Sequence, residues 1–163
     1  MDLERDLARI AEQERVLRFS RFDAGTAWEL GGRLRAAAEA RKAAVTIEIR
    51  VAGELLFFHA MPGTTPANAD WARRKRNVVE LLHRSSYGVG LSHRRDGSSL
   101  EQKLGLDPRD YATHGGSFPL WVEPVGCIGA ITVSGLPQRE DHALIVQVLA
   151  SWLGASVAAL ALD

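Results

Sequence analysis

Leu3, Leu7, Ile10 and Leu17 recur at helical spacing through a densely charged stretch. This pattern predicts an amphipathic helix with one narrow apolar stripe, ending near Arg18. Residues 18–22 read as a short strand or extended link. Asp23, three positions ahead of Thr26, suits a helix N-terminus and opens a second helix to about Lys42. Gly31 and Gly32 fall inside it at roughly 1 kcal/mol each relative to Ala, which predicts close packing against another backbone.

From Ala44 to Val51 the pattern changes period. Val45, Ile47, Ile49 and Val51 alternate with Thr46, Glu48 and Arg50, as in a half-buried strand. Ala52-Gly53-Glu54 turns the chain, and Leu55-Leu56-Phe57-Phe58 predicts a more fully buried strand completing an antiparallel hairpin. Residues 62–66 are loop, with Thr65 as N-cap and Pro66 at the first position of a helix to about Arg84. Residues 85–116, dominated by Ser, Gly and charge, carry only short helical pieces, 98–104 among them. Residues 117–122 and 127–134 form a second strand pair about a turn at 123–126. Pro137 opens a last helix through Leu160 that is apolar around most of its circumference. The order of elements describes one α+β domain over residues 1–163, an antiparallel sheet of about five strands flanked by helices.

Composition narrows the function classes. Twenty Lys and Arg balance twenty Asp and Glu in 163 residues. There is no overall field to favour nucleic acid or an anionic membrane. The single cysteine, Cys127, precludes an intramolecular disulfide framework, and a reducing, cytoplasmic location is the expectation. The charged N-terminus does not read as a signal peptide, and no apolar run reaches membrane-spanning length.

Arg73-Arg74-Lys75-Arg76 is the most informative charge cluster. With Trp71 at the origin of a helical wheel, Lys75 falls at ~40° and Arg74 at ~300°, beside Val78, Val79 and Leu82, while Arg73 and Arg76 point away. Arg74 and Lys75 therefore border the apolar face. Either their heads pair with a carboxylate such as Asp70 or Glu80, or they hold an anionic ligand. His114-Gly115-Gly116-Ser117 precedes a strand, where paired glycines allow positive φ or close approach of backbone to a ligand. His114 reads as a ligand contact, an acid/base or a plain loop residue. Ser134-Gly135-Leu136-Pro137 ends a strand and starts a helix. There, free N–H groups could face the same cavity, or Glu140 and Asp141 could simply complement the helix dipole. Cys127 reads as a small buried hydrophobe. The five histidines show no metal-ligand spacing, and no nucleophile elbow, phosphate loop or dinucleotide fingerprint is present.

Five blocks carry a resemblance: 62–66 (PGTTP), 71–79 (WARRKRNVV), 85–87 (SSY), 110–119 (DYATHGGSFP) and 128–137 (IGAITVSGLP), the last followed by Gln138, Glu140, Asp141 and His142. Together they resemble an uncharacterised branch of the haem-degrading domain family, the GlcG/HbpS-like proteins. The resemblance implies a profilin-like, three-layer fold and assembly into dimers or larger rings. It also makes haem a candidate cofactor, with His59, Met61, His83 and His114 available as axial ligands.

The expectation is thus a cytoplasmic, self-associating protein that binds a small anionic molecule and engages neither nucleic acid nor membrane. Its pocket would be built from Gly63, Thr64, Thr65, Arg74, Lys75, His114, Gly115, Gly116, Ser117, Ser134 and Gly135, with no metal. Other readings are an enzyme using His114 as acid/base, a haem binder, and a protein-interaction adaptor. Self-association is expected through the apolar surface of the last helix, unless the N-terminal helix folds back over it.

Overall fold

A computed structural model describes residues 2–162. Two helices, α1 (Leu3–Val16) and α2 (Ala24–Ala40), precede a hairpin of β1 (Thr46–Val51) and β2 (Glu54–Ala60). Three helices follow, α3 (Pro66–Leu82), α4 (Ser86–Arg95) and α5 (Leu100–Leu104). A second hairpin, β3 (Ser117–Val122) and β4 (Gly126–Ser134), leads into α6 (Gln138–Leu153) and α7 (Val157–Leu160). The strands form one antiparallel sheet in the order β2-β1-β4-β3. Four strands replace the expected five or so, because the 18–22 segment contributes only an isolated parallel bridge from Phe19 to Val122.

Alternation along the strands makes the layers. Ile47, Ile49, Phe118, Leu120, Ile131 and Val133 face α2 and α6 and form the main core with Leu30, Leu34, Leu144, Ile145 and Leu149. The opposite face is covered by α3, so Thr46 and Glu48 are buried as well, and β1 is not the half-exposed strand its alternation suggests. Sheet position also overturns the expectation for β2. As an edge strand it buries only Phe57, while Leu55 and Phe58 are 45% and 46% exposed. The tight packing at Gly31 is against the Phe57 ring, 2.4 Å from where a Cβ would sit, rather than against backbone, and Gly32 meets open space.

The helix α4 carries no strong signal in the sequence because Gly88 and Gly90 depress its propensity. Both are required by packing. A Cβ at Gly90 would lie 2.2 Å from the Thr113 carbonyl, and one at Gly88 would lie 2.9 Å from Ile10. The last helix is shorter than expected, since Gly154 at φ +72° caps α6 after Leu153. Its wide apolar circumference is covered within the chain by the sheet, α2 and α7, and polar contacts tie α1 to it. Gln13 bridges His142 (2.8 Å) and the Leu160 carbonyl (2.7 Å), and Arg139 pairs with buried Asp6 (2.6 Å). The expectation of a self-association surface on α6 is therefore withdrawn. Apolar exposure lies instead beside the β2 edge, where Trp28 is 71% exposed.

Candidate functional site

Thr65 and Pro66 start α3 as expected, with Asn68 Oδ1 accepting the Thr65 N–H (2.9 Å). The buried side of the helix is Ala72, Lys75, Val78 and Val79. Measured from this line rather than from Trp71, Arg76 turns inward and Arg74 outward, which reverses half of the wheel reading. Arg76 donates to Glu48 Oε1 (2.6 Å) with both side chains nearly buried. Arg74 lies over the Trp71 ring (4.3 Å) and donates from Nε and Nη2 to the Pro108 carbonyl. Trp71, 36% exposed, is a flank of the apolar face and not its centre.

Lys75 borders the apolar face as expected and is 3% exposed. Its ammonium donates to the Gly115 carbonyl (3.0 Å), the Val133 carbonyl (2.7 Å) and Asp141 Oδ2 (3.0 Å). Three donors meet three acceptors, so the cation ties segments of the protein together. Asp141 completes the knot by accepting the N–H groups of Gly135 (3.2 Å) and Leu136 (3.0 Å). The N–H groups at 135 and 136 are thus satisfied internally by an acid of the first helical turn, not left open to a cavity. Burial pushes the Lys75 ammonium down and the Asp141 carboxyl up, each opposed by the attraction of the other.

The paired glycines serve this knot. Gly116 takes φ +123°, and a Cβ there would lie 2.3 Å from the Val133 carbonyl and 2.5 Å from Lys75 Nζ. A Cβ at Gly115 would lie 2.1 Å from the Gln138 carbonyl. The glycines thus admit the protein's own backbone and ammonium. Ser117 is fully buried against Thr132 (2.8 Å) and Ser86, behind the cleft.

A cleft of about 270 Å³ opens above the knot, lined by Asn68, Trp71, Lys75, His114, Gly115, Ser134, Gly135, Leu136, Gln138 and Asp141. It brings together Lys75, His114, Gly115, Ser134 and Gly135 among the expected site residues. Gly63, Thr64 and Thr65 lie outside it, in the turn before α3, where Thr64 donates to the Met61 carbonyl (2.7 Å). Arg74, Gly116 and Ser117 also do not line it. Asn68, Trp71, Leu136, Gln138 and Asp141 line it as well and were not among the expected pocket residues. The capping position of Asn68 and the place of Gln138 at the start of α6 were the available signals.

The polar side chains at the cleft are donor-rich. Asn68 Oδ1 is occupied by Thr65, and Gln138 Oε1 accepts the Gly115 N–H (3.2 Å), so what these two cleft-lining amides have left to offer is their NH₂ ends. Asn68 Nδ2 makes only a long contact of 3.4 Å to the Ser134 carbonyl. The His114 ring packs edge-on against Trp71 (4.9 Å) and, among the described residues, makes no hydrogen bond. Partial burial, Lys75 and Arg74 lower its pKa, so it is neutral at pH 7.

The other candidate haem ligands are dispersed. His59 lies on β2 opposite Ile47, Met61 is buried in the main core, and His83 lines a separate cleft with Glu80 and Cys127. Cys127 is partly buried, with burial pushing its thiol up. Among the described residues no group of three or more His, Cys, Asp or Glu could hold a metal ion. No helix there is long and apolar enough to cross a membrane.

Comparison with known proteins places this geometry in a lineage. The family model for haem degrading protein HbpS-like matches residues 22–150. A UPF0303 protein of Azotobacter vinelandii is 59% identical over 163 residues, spanning 100% of this chain and 98% of that one. Another, from Serratia proteamaculans, is 52% identical over 160 residues, covering 98% and 99%. Among solved structures, the Ybr137w protein aligns with a TM-score of 0.85 at 27% identity, covering 91% of this chain and 87% of that one. The PduOC:heme complex aligns with a TM-score of 0.63 at 20% identity (75% and 88% covered), which shows a shared fold. The chain belongs to the HbpS-like haem-degrading protein family.

Proposed function

We propose that this protein binds a small molecule carrying an anionic group, such as a carboxylate, in the cleft between the starts of α3 and α6. The observation that carries the reading is the donor inventory. Both amide oxygens at the cleft are used internally, and the Gln138 NH₂ group and the second N–H of Asn68, whose Nδ2 also reaches the Ser134 carbonyl (3.4 Å), remain for acceptors on a ligand. Lys75 contributes by holding the cleft floor, not by touching the anion, since its donors are saturated. The neutral His114 ring at the mouth also offers an acid/base should the ligand be a substrate.

Haem fits this site poorly within one chain. Clefts that enclose drug-sized ligands run to about 300–1,000 Å³. The present one is about 270 Å³, and only His114 of the four candidate axial ligands lines it. We read residues 1–163 as one cytoplasmic domain, in line with its lone free cysteine. We place self-association at the edge of β2, where Leu55, Phe58 and Trp28 leave apolar surface uncovered.

The test is calorimetric titration with short carboxylates, paired with mass spectrometry of small molecules released on denaturing freshly purified protein. Asn68→Ala and Gln138→Ala should each weaken carboxylate binding about tenfold, as expected for hydrogen bonds to a charged group. If no carboxylate binds and nothing anionic co-purifies, the reading is wrong.

A further inference from the structure

A second cleft, of about 170 Å³, adjoins the first, formed by α5 and the 106–113 segment. Its walls include Leu100, Leu106 and Tyr111, with Arg74 and Glu101 at the rim. Among the residues lining the two clefts, His114 alone is common to both. Each lobe by itself is smaller than a usual ligand site, whereas the two joined fall inside the usual range of about 300–1,000 Å³.

The wall between them is lightly held. Among the described residues, the His114 ring makes no hydrogen bond, and its aromatic contact is the edge of Trp71. Trp71 is in turn held by Arg74, which lies over its ring and is itself anchored to the Pro108 carbonyl. The backbone on either side of His114 is pinned as well: the Ala112 N–H donates to the Arg74 carbonyl (3.1 Å), and the Gly115 carbonyl accepts from Lys75. A rigid frame therefore carries one movable ring at the junction. The lobes differ in chemistry, the first presenting amide donors and the second apolar and aromatic side chains.

We infer that the two clefts are the head and tail lobes of one site, with His114 as the partition that sets ligand length. The ligand class is an elongated monocarboxylate with an aromatic or apolar tail. This rests on the carboxylate reading of the first lobe and adds the tail, its position and the residue that selects for it. His114 thereby acts as a specificity-determining residue whether or not chemistry follows binding.

The experiment measures dissociation constants of propionate and of hydrocinnamate, the same acid with a terminal phenyl ring, by calorimetry on wild type, His114→Ala and His114→Trp. The ratio of the two constants isolates the tail from the head. Removing the imidazole opens the passage, so His114→Ala should favour hydrocinnamate at least tenfold. His114→Trp should close the passage and bring the ratio to about one. Glu101→Trp, on the exposed rim of the tail lobe, should reduce the hydrocinnamate advantage while leaving propionate affinity within threefold. A ratio that stays within threefold across wild type and both His114 variants overturns the partition, even with propionate bound. Absence of propionate binding in all the proteins removes the carboxylate reading and this inference together.

Discussion

Asp141 and His142 are successive residues of α6, 2% and 0% exposed, and they accommodate a buried polar group in opposite ways. Asp141 faces the α3 side as part of an ion pair with Lys75 and accepts two further backbone N–H groups. His142 faces α1 as a neutral ring, with Nε2 bonded to Gln13 Oε1 (2.8 Å) and Nδ1 buried without a hydrogen-bond partner among the described residues. Burial pushes the His142 imidazole down to about 3. Charge is used where strand ends, loop and helix start must be held in one arrangement to make the cleft. A neutral bond is used where a separate helix docks, and there a proton becomes the weakness.

The largest effect should come from breaking the charged knot on one side. Lys75→Met leaves Asp141 buried without its counter-charge and should cost about 3–5 kcal/mol in urea unfolding. Lys75→Met combined with Asp141→Asn should recover at least ~1 kcal/mol of that, because the remaining polar group is uncharged. A single-variant cost below ~1 kcal/mol would show the pair to be dispensable.

The neutral knot should reveal itself through pH. The His142 pKa of about 3 in the folded chain lies below the ordinary value of 6.5, so between them the unfolded chain binds more protons. Stability therefore rises with pH across that window, is complete above 6.5, and falls as acid is added. At pH 4.5 the loss from this group is about 2–3 kcal/mol, at about 1.36 kcal/mol per pH unit. His142→Gln, which retains an amide for Gln13, should flatten the profile between pH 6.5 and 4.5. Parallel wild-type and variant profiles would remove His142 as the source.

Two smaller effects sharpen the contrast between buried and rim charges. Arg76→Ala removes the hydrogen-bonded partner of Glu48, 6% exposed, and leaves it the longer Arg50 pair (3.6 Å), so it should cost about 1–3 kcal/mol, while Arg74→Ala should cost less than ~1 kcal/mol. Equal losses would contradict the inward orientation of Arg76. At the β2 edge, away from both knots, Phe58→Lys should change stability by less than ~0.5 kcal/mol. It should nonetheless lower the mass in light scattering toward the 17.8 kDa monomer. A wild type already at that mass would refute association there.

Element types were largely legible in the chain. Period-two alternation in 44–51, the Thr65-Pro66 start and the Asp23 cap are local signals, and local hydrogen bonds and sterics realise them. The short range of these signals is also why α4 was missed: the glycines that weaken it are needed by Ile10 and Thr113, which are distant in sequence. The wheel put Lys75 beside the apolar face, but it put Arg74 there equally, so it did not single out the buried one. Burial of Arg76 was not legible, because it depends on Glu48 from another layer.

By itself, then, the sequence determined the α+β class, the two hairpins and the starts of α2, α3 and α6, and it put His114, Gly115 and Lys75 among the residues expected at a pocket. The tertiary structure decided which of them touch a cleft. Whether a Lys is a ligand contact or a structural tie depends on how many acceptors converge on its ammonium. Here two carbonyls and a carboxylate from three segments do so. Edge or centre position for β2 and the polar link between α1 and α6 follow the same logic. Each is set by pairing across long sequence separations, and residue type and spacing do not encode partners that only folding brings within a few ångströms.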